Sequence, residues 1–486
     1  MIEDPASAAA GMLATWLGSV LGGTRGGAAP DVWQAGVPDV IDLGTVTPGE
    51  SATATLWLHN TGATPLTGVA ILATLVGGSH RHPPRLMTIP TVVPELPPGR
   101  PCAVEIHVTT ERATAEGDFV WELTSEGAPN VVRVFLVVAD SPAFEPAPTQ
   151  FVSRLRVYAS MVRRAMLEQI PTGEPANYLY QLVREYPYRP GKHMRAAICL
   201  SICEALGGSA TGALDIASSL ELLHNALLIH DDIEDGSGLR RGEITLHERH
   251  GVPLALNAGD ALAMFAVESL HAVVQRVDGW LATRLRAEFN HATRRTVEGQ
   301  AIELGWQREG VVDLSVDDYV AMATLKTCAY TTVLPMRVGA LLANTPPIDL
   351  DGFTTLAIPL GLAFQIRDDL LSLEASSGAG KDALGDLYEG KRSLPIIHLL
   401  STSTGPDHDF LRRFLKDERT ERSPSAVHEV RALLEQYGSV AFATSRARQF
   451  AIEARNRFDE TFAPTPSSPA LDFLREMIDF MVDRRF

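Results

Sequence analysis

The sequence predicts a chain of more than one domain, an all-β sandwich over residues 31–140 followed by an all-α bundle over residues 151–486. Three observations carry that reading. At 486 residues the chain is too long for one ordinary core. Between 31 and 140, apolar and polar residues alternate at period two, and Gly, Pro and Asn punctuate the runs. From Phe151 onward apolar residues recur at three and four, with Ala, Leu, Arg and Glu abundant and no strand pattern.

The elements follow in chain order. In residues 1–30, Leu13, Trp16, Leu17, Val20 and Leu21 recur at helical spacing, predicting a short amphipathic helix before a Gly-rich tether. Its polar face lacks basic residues, so docking on a neighbouring domain or partner, or partial disorder, is expected over membrane attachment. In the sandwich, Val104, Ile106 and Val108 alternate with Glu105, His107 and Thr109, while Phe119, Trp121 and Leu123 alternate with Val120 and Glu122. A Val-rich run covers 132–138, and earlier runs lie near 40–43, 52–59 and 69–75, separated by breaks such as PGE, NTG and PPGR. About seven short strands in roughly 110 residues predict an antiparallel sandwich. The segment SPAFEPAPTQ, residues 141–150, reads as a stiff Pro-rich linker. Helices are then expected near 151–170, 194–206, 212–230, 254–275, 281–305, 317–343 and 352–373, with shorter ones near 394–401, 408–416, 424–436, 438–459 and 469–483. Bundles of this kind build their sites between facing helices.

Composition excludes several classes. A net charge of −17 argues against nucleic acid as a partner, since a phosphate backbone calls for a basic face. An anionic ligand must therefore be held by local cations or metal. The four cysteines, Cys102, Cys199, Cys203 and Cys328, show no metal-ligand spacing with histidines, and Cys199 and Cys203 read as core residues of one helix. Glu3 and Asp4 stand where a secretory leader carries basic residues, and no apolar run is long enough to span a bilayer. A cytoplasmic protein is expected.

The stretch LLIHDDIEDGSGLRRG, from Leu227 to Gly242, organises the chemistry. Asp231, Asp232 and Asp235 end an apolar helical run, and three carboxylates so close repel one another unless a hard cation neutralises them. Arg240 and Arg241 follow, with guanidinium geometry that matches phosphate oxygens. Alone, such a cluster is as readily a solvated helix end. The second copy, FQIRDDLL with Asp368 and Asp369, lies 137 residues downstream (368 − 231) and also ends an apolar helical run. Two such faces can clamp one diphosphate.

Six blocks in order give the helical part its resemblance: PGKHMRAAICLSICEALGG from Pro190, LLHNALLIHDDIEDGSGLRRGEITLHERHG from Leu222, EGQAIEL from Glu298, LKT from Leu325, FQIRDDLL from Phe364 and GKDALGDLYEGKRSLP from Gly380. Together they resemble the trans-isoprenyl diphosphate synthases, in particular the geranylgeranyl type. These enzymes condense isopentenyl diphosphate with an allylic diphosphate. The resemblance implies an isoprenoid-synthase helical bundle in which Asp231, Asp232, Asp235, Asp368 and Asp369 surround three Mg²⁺ ions. It places Arg240, Lys326, Lys381 and Lys391 on the allylic diphosphate, and Thr327 and Gln365 near the allylic end. Lys192, Arg195, His224 and Arg241 would form a metal-free pocket for isopentenyl diphosphate. The proton acceptor would be the released diphosphate, so no side chain is nominated as base.

Chain length in this family depends on what lines the cavity upstream of the first motif. Leu223, Ala226 and Leu227, without a bulky aromatic, imply a product longer than fifteen carbons, and twenty is expected. Met264 and Phe265 are candidates for a deeper floor, although core packing is their expected role. Three positions depart from the family: Ser372 stands where the second motif usually ends in aspartate, Glu303 where Asp is common, and His193 where Arg is frequent.

The sandwich, through IDLGTVTPGESATATLWLHNTGATPLTGV, resembles immunoglobulin-like domains of the spindle and flagellar sperm-protein type. That resemblance implies an interaction module with a protein partner, and the helical one implies a homodimer. Two alternatives to the synthase stay open here. One is a class I terpene cyclase, against which Lys192, Arg195 and Arg241 argue; the other is a degenerate, non-catalytic scaffold subunit.

Overall fold

A computed structural model of the chain describes residues 40–58, 60, 64–78, 82–98, 101–125, 131–139, 149–189, 191–343, 349–374 and 384–482. The expected N-terminal helix and tether, residues 141–148 of the linker, and Lys381 lie outside the described residues.

Eight strands build the N-terminal region: β1 (Val40–Val46), β2 (Ser51–Leu58), β3 (Leu66–Gly77), β4 (Arg85–Ile89), β5 (Val92–Leu96), β6 (Cys102–Thr109), β7 (Gly117–Ser125) and β8 (Val132–Val138). They form a five-stranded sheet, β1-β8-β7-β3-β5, and a three-stranded sheet, β2-β6-β4. Period-two alternation turns Leu56, Leu58, Val104, Ile106 and Val108 of one sheet toward Val69, Ile71, Phe119, Trp121, Leu123, Val134 and Leu136 of the other, giving one shared apolar core. The short runs RLMTI and VVPEL add two strands to those located from alternation. One pairing departs from the antiparallel expectation: β1 runs parallel to β8, with Val40 opposite Arg133 and Val46 opposite Val138.

The helical part comprises α1 (Gln150–Gln169), a π-helical turn (Ala176–Tyr180), α2 (Gln181–Tyr188), α3 (Met194–Ala205), α4 (Ala210–Asp235), α5 (Leu246–His250), α6 (Val252–Val274), α7 (Gly279–Arg308), α8 (Val316–Ala323), a π-helical segment (Thr324–Val333), α9 (Leu334–Ala343), α10 (Leu350–Glu374), α11 (Gly385–Glu389), α12 (Leu394–Thr402), α13 (Gly405–Phe414), α14 (Pro424–Gln436), α15 (Ser439–Phe462) and α16 (Pro469–Val482). Local chemistry sets their starts: the side chains of Thr149, Ser209 and Asp278 accept backbone N–H bonds at the first turns of α1, α4 and α7, and Ser315 with Asp318 makes a capping box on α8. Helix α4 is apolar on nearly all sides and is buried among α1, α3 and α6, as a central helix must be. Cys199 and Cys203 are buried in α3, as expected. Met264 is corrected: it does not pack in the core but is 66% exposed on α6, because the buried face of that helix is formed by Ala255, Ala258, Leu262 and Ala266.

The sandwich is joined to the bundle by apolar and ionic contacts. Val40, Val120 and Phe135 pack on Val157 and Met161 of α1. Beside them Arg133 of β8 donates to Glu122 of β7 at 3.0 Å and to Glu204 of α3 at 2.5 Å. Tyr158 donates to Glu204 at 2.5 Å, and Thr211 of α4 donates to Glu122 at 2.7 Å. Burial alone would raise the Glu204 carboxyl, but the Arg133 and Arg154 guanidiniums outweigh it and hold its pKa below the usual range.

Candidate active site

Helix α4 ends in the first acidic cluster. Asp231 and Asp235, one turn apart, share a face, whereas Asp232 is rotated about 100° from Asp231. The rotation decides their surroundings. Asp232 is 1% exposed and accepts Arg240 Nε at 2.7 Å and the Tyr186 hydroxyl. Asp231 is reached by Arg240 Nη2 at 3.3 Å and lies 3.6 Å from Lys326 Nζ. Asp235 accepts Lys391 Nζ at 2.6 Å. Burial, reinforced by the charge of Asp231, pushes the Asp235 carboxyl up to about 8.

The second cluster ends α10. Asp369 is buried, accepting Gln365 Nε2 at 2.8 Å and the Tyr319 hydroxyl at 2.8 Å. Burial and then the nearby Asp386 raise it to about 7. Asp368 is half-buried. Ser372 does not stand among the acids; its hydroxyl turns back to the Asp369 carbonyl at 2.7 Å.

Short contacts link the two clusters. Lys326 and Thr327 are consecutive on the π-helical segment: Lys326 bonds Glu303 and approaches Asp231, while Thr327 donates to Gln365 at 2.6 Å, which in turn holds Asp369. Lys391 bridges Asp235, Glu389 at 2.8 Å and Asp386 at 3.8 Å, and Asp386 is the charge that Asp369 feels. Thus the structure brings together Asp231, Asp235, Lys326, Thr327, Gln365, Asp369 and Lys391. Gly299 of α7 permits this approach, because a Cβ there would stand 2.2 Å from the Lys326 backbone nitrogen. Carboxylates of two helices lie along this chain of contacts with lysine and arginine between them; oxygen donors of this kind suit a hard cation, and among the described residues no three of them already converge on one point.

Arg240 and Arg241 meet different neighbours because the hairpin turns between them. Strands β9 (Leu239–Arg240) and β10 (Glu243–Ile244) join through Arg241 and Gly242, both at positive φ, +55° and +81°. Arg240 therefore reaches the acids, while the Arg241 guanidinium lies against Gly191, where a Cβ would come within 2.9 Å of it. Around it gather Arg195, which donates to Tyr330 and Thr331 at 2.9 Å each, and buried His224. Lys192 sits with its Nζ 4.6 Å from the Phe480 ring centre. Burial, then Arg195 and Arg241, hold the His224 imidazole well below its ordinary pKa and so neutral. Burial and then the offsetting Glu221, with neighbouring arginines opposing it, leave the Arg241 pKa lowered. His193, at positive φ, bonds Glu221 at 3.2 Å. Arg195 Nε, His224 Nδ1 and His193 Nε2 are buried without a hydrogen-bond partner. Unpartnered buried nitrogens among crowded cations, the Arg195 Nε–H among them, fit a pocket for an anion without metal.

Leu223 and Ala226 are buried and Leu227 is partly buried on α4. Phe265 of α6 faces Tyr180, ring centres 6.4 Å apart. Several residues at the site carried no role in the sequence reading. Gln300, which donates to Glu234 at 2.6 Å, and Glu303 lie within the quoted block EGQAIEL, so their spacing was available as a signal. Glu389 lies within the block that starts at Gly380, whereas Tyr186, Tyr319 and Tyr330 had no signal beyond proximity to a block.

The polyprenyl synthetase family model matches residues 176–434. A short chain isoprenyl diphosphate synthase of Methanothermobacter thermautotrophicus is 29% identical over 333 residues, 68% of this chain and 97% of that protein. A geranylgeranyl diphosphate synthase of Saccharolobus solfataricus is 28% identical over 301 residues, 61% of this chain and 87% of the relative. Among solved structures, the geranylgeranyl pyrophosphate synthetase of Pyrococcus horikoshii superposes with a TM-score of 0.61 at 29% identity, covering 69% of this chain and 99% of that one. The Caulobacter crescentus polyprenyl synthase, solved with calcium and isoprenyl diphosphate, gives 0.61 at 25% identity, covering 69% and 98%.

Proposed function

The chain belongs to the polyprenyl synthetase family and is a trans-prenyltransferase, and from that premise we propose that it condenses isopentenyl diphosphate with an allylic diphosphate to give geranylgeranyl diphosphate. The observation that carries this reading is the pairing of two pockets, an acid-rich one spanned by Lys326 and Thr327 and a cationic one with unpartnered nitrogens at Arg195 and His224. A cyclase has no use for the second.

In this reading Asp231, Asp235 and Asp368 hold Mg²⁺, three ions in all, with Asp232 and Asp369 behind them. Bound magnesium supplies the positive charge that stabilises the departing diphosphate. Lys326 and Lys391 give up their carboxylate partners to contact that diphosphate, Arg240 turns Nη2 from Asp231 to it while Asp232 keeps its Nε, and Lys381 joins them. Thr327 and Gln365 line the allylic end. Lys192, Arg195, His224 and Arg241 hold isopentenyl diphosphate by its charge without ionising it. Neutral His224 offers a hydrogen bond without adding a further cation. Leu223, Ala226 and Leu227 leave room for a C20 tail, and apolar walls keep water from the carbocation.

We assign the protein to the cytoplasm; no described helix is long and apolar enough to cross a membrane. A homodimer is supported by the stripe of exposed apolar side chains Val252, Leu256, Met264 and Val267 on α6. For the sandwich we propose an immunoglobulin-like interaction module. Trp57, Met87 and Ile89, half exposed on the outer face of the three-stranded sheet, support a protein partner. The test is to incubate purified protein with Mg²⁺, isopentenyl diphosphate and dimethylallyl, geranyl or farnesyl diphosphate, then size the dephosphorylated products. C20 alcohol is expected. Hydrocarbon from the allylic substrate alone would turn the assignment to a cyclase, and no turnover to a scaffold.

A further inference from the structure

The two acidic clusters share a construction. In each, the second aspartate is buried and has both oxygens occupied, one by a tyrosine hydroxyl from another helix and the other by a residue of the allylic pocket. Asp232 takes Tyr186 of α2 on Oδ2 and Arg240 on Oδ1 at 2.7 Å. Asp369 takes Tyr319 of α8 on Oδ2 at 2.8 Å and Gln365 on Oδ1 at 2.8 Å. Both tyrosines are 1% exposed. A buried phenol needs an acceptor, and a phenylalanine of the same shape would fill the same space, so what tyrosine adds at these positions is the hydroxyl.

We propose that Tyr186 and Tyr319 are positioning residues that lock Asp232 and Asp369 as orienters of Arg240 and Gln365, leaving metal coordination to Asp231, Asp235 and Asp368. This rests on the reading that those three carboxylates hold metal. Each tyrosine pins one carboxylate oxygen, so the other points into the pocket. There it fixes the Arg240 guanidinium, and through Gln365 the Thr327 hydroxyl. Without the hydroxyl the carboxylate turns about its χ2 bond, and its partner loses its aim. Outer partners that hold the groups around a metal in place typically change affinity about 10- to 100-fold when lost.

The test compares Tyr186→Phe and Tyr319→Phe with Tyr437→Phe, a control in which a phenol remote from the site loses an equivalent bond to Asp407. Binding of Mn²⁺ in the presence of inorganic diphosphate is followed by electron paramagnetic resonance, and Michaelis constants are measured for both substrates. Expected are Mn²⁺–diphosphate binding weakened about 10- to 100-fold in both site variants, a raised allylic KM, an isopentenyl diphosphate KM within twofold, and no change in the control. Affinity within twofold of the native protein in folded site variants overturns the proposal. Asp231→Asn separates the two levels: if it loses Mn²⁺ binding while the tyrosine variants keep it, only the tyrosine assignment falls. If Asp231→Asn also binds normally, the metal assignment itself falls. Should neither phenylalanine variant fold, Asp232→Asn and Asp369→Asn replace them. The same number of bound Mn²⁺ ions with weaker affinity supports the proposal, and loss of an ion overturns it.

Discussion

Replacing Lys326 with methionine perturbs the site at the point where its two acidic clusters are joined. The ammonium lies 3.6 Å from Asp231 and is bonded to Glu303. Burial disfavours its charge, but Glu303 and then Asp231 outweigh burial and raise its pKa, so it is fully protonated at neutral pH. Two unit charges about 4 Å apart in an effective permittivity of about 20 interact by about 4 kcal/mol. Glu303 already neutralises part of that charge, so 4 kcal/mol is a ceiling, and loss of a directed donor to a developing oxyanion ordinarily costs about 2.7–4 kcal/mol. We therefore expect kcat/KM for the allylic substrate to fall about 10²- to 10³-fold, with the isopentenyl diphosphate KM nearly unchanged. A second consequence has the opposite sign. Without the ammonium, Asp231 and Glu303 lose a competing cation, and Mn²⁺ titrated without diphosphate should bind more tightly. Steady-state kinetics and that titration check both. An allylic kcat/KM within threefold of the native value, or Mn²⁺ binding that weakens, would exclude this role for Lys326.

Three further predictions concern other parts of the molecule. Arg133→Met leaves Glu122 and Glu204 short of a buried partner and should destabilise the junction of sandwich and bundle by about 3–5 kcal/mol, seen as a lower unfolding midpoint in calorimetry; an unchanged midpoint contradicts the ionic lock. Because the folded Glu204 pKa lies below its ordinary value, its contribution is complete above the usual carboxylate range and is lost as pH falls through the lower folded value. Stability measured from pH 7 down to pH 3 should therefore drop more steeply in the native protein than in Arg133→Met, and parallel curves would count against it. Ala226→Phe, at a fully buried position one helical turn and a half upstream of Asp231, should shorten the main product by one five-carbon unit, read by chromatography of the alcohols; undiminished C20 output would remove Ala226 from the cavity wall.

The helical fold was legible because its signal is periodic and long. Runs such as 212–230 and 352–373 fall within α4 and α10, whose apolar faces repeat over several turns. Strands were legible where alternation was strong, as at Val104–Val108, and missed in RLMTI and VVPEL, which are five residues each and too short for a period to show. The parallel β1–β8 pair arises from long-range pairing that no local pattern encodes. At the site, the ordered blocks contain Asp231, Asp235, Lys326, Thr327, Gln365, Asp369 and Lys391, which short contacts link, while Lys192 lies against Phe480 and Lys381 is outside the described residues. They could not divide Asp231 from Asp232, since that depends on which helix lies against each side of α4. Tyr186 and Tyr319 were missed for the same reason: a tyrosine in a helix reads as core until its hydroxyl is seen to meet a carboxylate. Met264 was misplaced because α6 is apolar on its exposed face as well.

The proposed chemistry requires one metal–diphosphate cluster shared by α4 and α10. A double-mutant cycle on Asp231→Asn and Asp368→Asn, read as Mn²⁺ affinity in the presence of inorganic diphosphate, probes that sharing. Shared coordination predicts that the two losses are strongly non-additive, the second substitution costing far less once the first is made. Two losses that simply add would mean that the clusters bind their ions independently, and the proposed chemistry would be wrong.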